Sequence, residues 1–535
     1  MQRFEYIIVG AGSAGSVLAG KLAASGRRVL LLEAGGSDRH PWIRLPLGYA
    51  RTFFDPRFNW CFEGESDAGT NGRRAYWPRG KVIGGSSSIN ALCYVRAHPR
   101  DFADWQAAGN TQWSWSEAQR YYRRFEKRID ANGNASLPAG LAISDVSAQY
   151  HPLSSVFQQA AVELGQPVTA DFNADDNPCL GIGPYHVTTE NGQRCSSADA
   201  FLRPFMGHAN LSIERNADVR LLLMSGRRVT GVEYVRKGRF ERVSATREVI
   251  LSAGALGSPH LLLRSGIGPG ESLQANNVPV VVDSPQVGRN LQDHLAISYY
   301  FRSRVPTLND ELGNWRGLTL AVLRYLMVRR GPLALSVNQY GGFVQTDAGL
   351  PGPDLQLYLN PIAYSTGGDG DQLRLSPESA FILSYSPTRP KSRGFIELDP
   401  RDWFAPPRIH PGYLSDESDL NAVVAGGRFL RRFAQTEAIR EVTLQAEPPA
   451  LDDMSDADMI ADFRARAGTV YHPIGTCAMN PDPSKGVVDQ RLRVHGVGGL
   501  RVADASVFPN LTTGNTNATT IMLAHKAADQ VLAGT

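Results

Sequence analysis

Gly10, Gly12 and Gly15 stand in the run Gly10-Ala11-Gly12-Ser13-Ala14-Gly15, and an isolated acid, Glu33, follows them. Glycines so spaced suit a dinucleotide. The first permits a tight turn, the second lets a pyrophosphate approach the backbone, and the third lets a helix lie close to a strand. Glu33 stands where a carboxylate accepts hydrogen bonds from a ribose diol. Such a run is often a mere turn, so its context decides. Tyr6 to Val9 is an apolar, β-branched strand, and Val17, Leu18 and Leu22 recur at helical spacing between Ser16 and Ser25. Gly26 stops that helix, and Val29 to Leu32 reads as a second buried strand ending at Glu33. The helix start offers free N–H groups and a positive dipole end to phosphates. Gly254 to Pro259 follows another strand but lacks the fingerprint spacing. One tightly held dinucleotide is the simplest count.

The remaining composition excludes several classes. The 535 residues are 42% hydrophobic and 20% charged, an ordinary globular balance rather than a disordered one. Length alone sets a soft prior of roughly three to four domain-sized units. The 53 glycines and 33 prolines have no triplet period, so they read as turns and close backbone approaches, not collagen. A net charge of +3 gives no reason to expect a nucleic-acid partner. Cys61, Cys93, Cys179, Cys195 and Cys477 form no disulfide framework, and no Cys/His cluster has zinc-ligand spacing, so no metal is expected. The chain enters a strand within a few residues, leaving no room for a secretory signal, and no stretch approaches the roughly 18 apolar residues of a spanning helix. The expectation is a soluble, cytoplasmic protein.

Further along, residues 101–128 read as helical and 210–250 as a set of short antiparallel strands leading to a buried strand at Glu248 to Leu251. Residues 354–360 and 381–398 alternate like sheet strands, and helices are expected at 416–434, 456–466 and about 519–533. Residues 318–328 form an amphipathic helix interrupted by Arg324. Packing into a core is the favoured reading there, over peripheral membrane contact.

Five ordered segments resemble one family. Arg79 to Ala91, with Gly84-Gly85-Ser86-Ser87-Ser88-Ile89-Asn90, is similar to the first signature of the glucose–methanol–choline (GMC) flavin oxidoreductases. Ser252 to Pro259, running on to Gly266-Ile267-Gly268-Pro269, resembles the second. Val287 to His294, Tyr471 to Cys477, and Val502 to Ser506 with Gly514-Asn515-Thr516-Asn517 complete the set. The matches run in family order from residue 6 to about 529. The resemblance implies an α/β GMC fold, with a Rossmann-like FAD-binding domain from discontinuous segments and an antiparallel-sheet substrate domain backed by helices. Expected boundaries are 1–155, 196–298 and 468–535 for the first, and 156–195 with 299–467 for the second.

The dinucleotide is then FAD, which glycine spacing alone does not distinguish from NAD. Expected contacts are Gly10, Gly12, Ser13, Ala14, Gly15, Glu33, Ala34, Trp60, Arg79, Val82, Gly85, Ser86, Asn90, Ala91, Val219, Ala253, Tyr471, Asp504, Ala505, Asn515, Thr516 and Asn517. Some relatives bind flavin covalently through a histidine at the position of Ile89, which has no nucleophile, so non-covalent FAD is expected. The resemblance makes His472 the catalytic base and Asn515 its partner. His294, beside Asp293, reads as a satisfied structural histidine. Val337, Gln339, Tyr340, Leu357, Leu359 and Tyr471 are the expected substrate-pocket residues.

These residues suit the oxidation of a primary alcohol to an aldehyde by hydride transfer to flavin N5. Neutral His472 accepts the hydroxyl proton, and the amide of Asn515 steadies the developing alkoxide. The expected pocket is apolar and aromatic without a carboxylate, which favours aromatic, furanic or medium-chain alcohols over choline. The electron acceptor is O2 or a quinone or artificial acceptor, and sequence does not separate oxidase from dehydrogenase or set the oligomeric state. Alternatives within the family are a choline-type dehydrogenase, a hydroxynitrile lyase and a photodecarboxylase. A non-catalytic FAD module is the reading outside it.

Overall fold

A computed structural model of the chain describes residues 2–175, 179–366 and 373–534. The amino-terminal pattern folds as strand β1 (Arg3–Val9), helix α1 (Ser13–Ala24) and strand β2 (Val29–Glu33). Every residue of β2 is buried, because it is covered on both faces, as parallel strands are. β1 pairs in parallel with β2 on one side and with β3 (Arg239–Leu251) on the other. Leu211–Arg215 extends this sheet in parallel beyond β2, and Leu500–Val502 pairs in parallel with the end of β3. The long β3 also bends out to pair antiparallel with Arg228–Arg236, which in turn pairs with Ala217–Ser225. The antiparallel set expected over 210–250 therefore begins one strand later. Leu211–Arg215 belongs to the parallel part.

A second sheet is antiparallel throughout, in the order Thr443–Ala446, Leu295–Ser303, Ala380–Pro387, Leu355–Asn360, Tyr340–Val344 and Gly181–Pro184. One face packs on the helices Leu153–Glu163, Glu417–Ala434 and Asp456–Arg466, burying Phe157, Phe381, Leu383, Phe429 and Phe463 together. The strand period of two sends alternate residues to opposite faces. Leu355, Leu357 and Leu359 join the helix-side core, while Tyr358 and Asn360 face a cavity between the two sheets. The chain is thus mixed α/β, with a Rossmann-like sheet and a helix-backed antiparallel sheet.

Helix α2 (Gly254–Arg264) leaves β3, and the last helix, α3 (Thr516–Leu532), packs along α1. α3 starts three residues before its expected position because Asn515 is its N-cap residue.

The 318–328 segment departs from expectation. It is a helix, Trp315–Val328, but it buries only Ala321 and Tyr325. Apolar residues occur around most of its circumference, and the narrow stripe that meets the protein leaves the rest outside. No helix among the described residues is long and apolar enough to cross a membrane.

Candidate active site

The two sheets enclose a cavity of about 1050 Å³. Its floor comes from the ends of β1, β2 and β3 and the loops after them, where ligands bind in open parallel sheets. Gly10, Gly12, Ser13, Ala14, Glu33 and Ala34 line it from the first turn, and Trp60, Arg79, Gly85, Ser86, Asn90 and Ala91 from the 60–91 segment. Val219, Ala253, Tyr471, His472, Asp504, Ala505, Asn515, Thr516 and Asn517 complete that part of the wall. Gly15 and Val82 stand behind the lining. A Cβ on Gly15 would meet the Gly10 carbonyl oxygen at 1.9 Å, so Gly15 is there for helix–strand packing. Val82 is fully buried beside Ile43, Phe58 and Ile89.

The first-turn geometry fits a dinucleotide. Gly10 has φ +97°, and a Cβ there would meet the Ser252 carbonyl oxygen at 2.5 Å. Gly12 and Gly85 approach so closely that a Cβ on Gly85, itself at φ +54°, would lie 2.7 Å from the Gly12 Cα. α1 and α3 both start at the cavity, and neither has a side-chain cap hydrogen bond. Two positive dipole ends are thereby left for an anionic ligand. The Ser13 hydroxyl donates to Asn517 Oδ1 at 2.7 Å, tying the two helix starts together. Glu33 accepts from the N–H groups of Ala11 and Gly35, each at 2.8 Å, and burial raises its carboxyl to about 7. Asp504 caps α2 through the Gly254 N–H at 2.9 Å and accepts the Ser258 hydroxyl. Asn90 has its carbonyl oxygen held by buried Arg194 at 2.7 Å, leaving its amide hydrogens without a partner among the described residues.

At the other end of the cavity His472 and Asn515 come together from the segments before and after Val502–Ser506. His472 Nε2 lies 3.0 Å from Asn515 Nδ2. Asn515 Oδ1 accepts from Gln356 Nε2 at 3.3 Å, which orients the amide so that its N–H group faces His472. His294 Nε2 lies 2.8 Å from the Thr388 carbonyl, an acceptor only, so it carries the proton of that ring. His294 Nδ1 is then an acceptor and, 3.0 Å away, His472 Nδ1–H donates to it. This chain leaves His472 Nε2 as the acceptor, its lone pair at the cavity wall meeting the Asn515 N–H until a substrate hydroxyl takes that place. Burial, with the charges of His294 and Arg79 as smaller contributions, holds the His472 imidazolium well below its usual range, so the ring is neutral near pH 7. Burial also pushes His294 down to about 4.

The backbone here is fixed from below. Asp293 Oδ1 accepts the His472 N–H at 2.7 Å, and its other oxygen accepts the hydroxyls of Tyr413 and Thr469. Asp293 thus holds the main chain rather than forming a dyad with His294. Tyr471 sits at φ +68°, a costly conformation for a bulky side chain, held by Arg79 Nη2 donating to its carbonyl at 2.7 Å.

Of the expected pocket residues, Val337 and Tyr471 line the cavity. Gln339, Tyr340, Leu357 and Leu359 do not. Leu357 and Leu359 lie in the helix-side core, Tyr340 points there and donates to Gln158 at 3.0 Å, and Gln339 is buried accepting the His151 N–H at 2.8 Å. The pleat decides this: the alternate residues Tyr358 and Asn360 face inward instead, with Ala296, Ser298, Tyr300 and Ser384 on neighbouring strands. Tyr49, Phe53 and Tyr364 add further rings, so the cavity is more aromatic than the sequence reading allowed. Gln356, Arg194 and the positioning contact of His294 were not anticipated. Only the Gln292-Asp293-His294 run carried a signal for any of them.

The GMC oxidoreductase family models match residues 4–296 and 390–524. An alcohol dehydrogenase [acceptor] of Pseudomonas putida is 39% identical over 536 residues, covering 99% of this chain and 96% of its own length. The mitochondrial choline dehydrogenase of Homo sapiens is 38% identical over 540 residues, covering 98% of this chain and 89% of its own. Among solved structures, pyridoxine 4-oxidase from Mesorbium loti superposes with TM-score 0.87 at 30% identity, covering 99% of both chains.

Proposed function

The chain belongs to the GMC oxidoreductase family and is an FAD-dependent oxidoreductase, and from that premise we propose that it oxidises a neutral primary alcohol, aromatic, furanic or medium-chain aliphatic, to the aldehyde. The observation that carries the reading is the 3.0 Å pair of His472 Nε2 and Asn515 Nδ2 at the cavity wall, one acceptor and one donor side by side. FAD, when bound, supplies the acceptor for the hydride that leaves the alcohol carbon.

The residues of the chain do the rest. Neutral His472 takes the hydroxyl proton at Nε2, the only ring nitrogen not already donating. Asn515 donates to the same oxygen as negative charge builds on it. Its amide does not turn away, because Gln356 holds the carbonyl end. Asp293 and Thr388 keep the two imidazoles in place from outside the cavity. Burial of His472 keeps its ring neutral and able to take the proton near pH 7. Ile89 offers no atom for a covalent flavin bond, which supports FAD held there without one.

Choline is the second reading. The rings of Tyr49, Phe53, Tyr358, Tyr364 and Tyr471 supply faces that attract a quaternary ammonium. Against it, the wall from the antiparallel sheet carries Ser298, Tyr300, Asn360 and Ser384 and, among the described residues, no carboxylate. Anaerobic mixing of holoenzyme with benzyl alcohol, furfuryl alcohol, 1-octanol and choline separates the readings. Bleaching of the oxidised flavin band by a neutral alcohol, at least about tenfold more efficiently than by choline, is expected. Preference for choline overturns the substrate class, and bleaching by none of them overturns alcohol oxidation. Peroxide release against reduction of a quinone then tells oxidase from dehydrogenase.

A further inference from the structure

We propose that the Trp315–Val328 helix is a membrane-docking element that seats the protein on a lipid surface carrying anionic headgroups. The inference concerns an outer surface that carries no member of the proton-transfer pair, and it goes beyond the alcohol-oxidation reading. Trp315, Leu320, Leu326 and Met327 are 73%, 67%, 63% and 76% exposed, and Leu318, Val322, Leu323 and Val328 are exposed beside them. A contiguous apolar surface of this kind marks an interaction site rather than scattered exposure.

Charge identifies the occupant. Arg316, Arg324, Arg329 and Arg330 lie on or directly after this helix, and no acidic residue occurs between Glu311 and Asp347. Among the described residues none of the four arginines makes an ion pair. Arg316 and Arg329 instead lie over the Trp315 and Tyr325 rings. Exposed Leu, Met and Trp with unpaired arginines at the margins suit insertion at the headgroup boundary, the apolar residues entering the acyl region and the cations meeting phosphates. A second copy of this chain is a poorer fit. A two-fold contact sets the same patch against itself, apposing these arginines, and the segment from 312 to 346 supplies no acid to pair them. At 14 residues the helix is about 21 Å long, short of a bilayer core, so it lies in the plane of the surface rather than across it.

The position of the helix gives the docking a consequence. Ala321 and Tyr325, its buried residues, pack on Leu333, Ala334 and Ile362, and this cluster touches Val337 and Tyr364 of the cavity wall. The docked face is therefore the outer side of a layer whose inner side borders the site.

The test is flotation of holoenzyme with vesicles of phosphatidylcholine, alone or with phosphatidylglycerol, at low and high salt. Floating with the anionic vesicles, reduced by salt, is the expected result. A Leu320→Glu, Met327→Glu double variant is expected to lose at least about tenfold of that partitioning while turnover of a water-soluble alcohol with a soluble dye is unchanged. Should that variant be poorly made, quenching by brominated lipid supplies the same answer in the wild type. Quenching that Trp315→Phe abolishes supports docking by this helix. Wild-type protein that stays out of the floating fraction at low salt overturns the proposal. So does quenching that survives Trp315→Phe, or a loss of dimer in the double variant without any vesicle binding in the wild type.

Discussion

His294 Nδ1 lies 3.0 Å from His472 Nδ1, and the Thr388 carbonyl on the far side of His294 sets which of the two carries the shared proton. A backbone oxygen thereby decides that Nε2, the nitrogen beside Asn515 at the cavity wall, is the acceptor of His472. His294 touches neither alcohol nor flavin on this reading and acts as a positioning residue. Replacing it with leucine is expected to slow flavin reduction by between about tenfold and 10⁴-fold, the upper figure being the loss when a catalytic histidine is held in the wrong tautomer. Flavin content is expected to stay normal. Reduction at the wild-type rate in His294→Leu overturns the positioning role.

His472→Ala removes the proton acceptor itself. Flavin reduction by alcohol is expected to fall roughly 10²–10⁴-fold, the usual contribution of a general base, with FAD retained. Anaerobic stopped-flow at saturating alcohol measures it. A near-normal rate assigns the base elsewhere.

Asn515→Asp keeps the shape of the side chain and the oxygen that faces Gln356 but replaces the donor beside His472 with a second oxygen. A carboxylate there repels the developing alkoxide. The reduction rate is expected to drop further than FAD affinity does. Equal loss of both argues that Asn515 serves only the start of α3.

Acid sensitivity follows from the burial of His472. An exposed histidine base loses activity as pH falls through about 6.5. Burial pushes the His472 imidazolium well below that value, so its neutral, active form persists to lower pH. The reduction rate is expected to stay flat between about pH 6 and 8 and to fall only further into acid. A protonation limb centred near 6.5 in the stopped-flow rates contradicts this.

Gly85→Ala tests the nucleotide cradle separately from the chemistry. The added Cβ would lie 2.7 Å from the Gly12 Cα, at a φ of +54° that alanine tolerates poorly. Both glycines line the cavity at the start of α1. Purified Gly85→Ala is expected to carry markedly less flavin per chain than wild type while remaining folded by circular dichroism. Full flavin occupancy in that variant places the pyrophosphate away from this contact.

What could be read without coordinates was local or carried by motif. Strand, glycine turn, helix, strand and acid are specified by neighbours in the chain, so β1, α1 and β2 fall where the pattern puts them. The segments at 416–434 and 456–466 likewise became helices, because the spacing of their apolar residues matches the face each buries. His472 and Asn515 were legible only through resemblance to a family, since no spacing law links two residues from separate loops.

Tertiary structure decided what depends on which face of an element meets what. The Leu355–Asn360 strand alternates, but alternation does not say which set faces the cavity. The three helices behind the sheet claimed Leu357 and Leu359 and left Tyr358 and Asn360 to the site. The apolar run at 315–328 does not say whether anything covers it, and the fold left it bare apart from Ala321 and Tyr325. Periodicity records how a segment is polarised. The partner of each face, and the hydrogen bond from Thr388 through His294 to His472, exist only after segments distant in the chain have packed together.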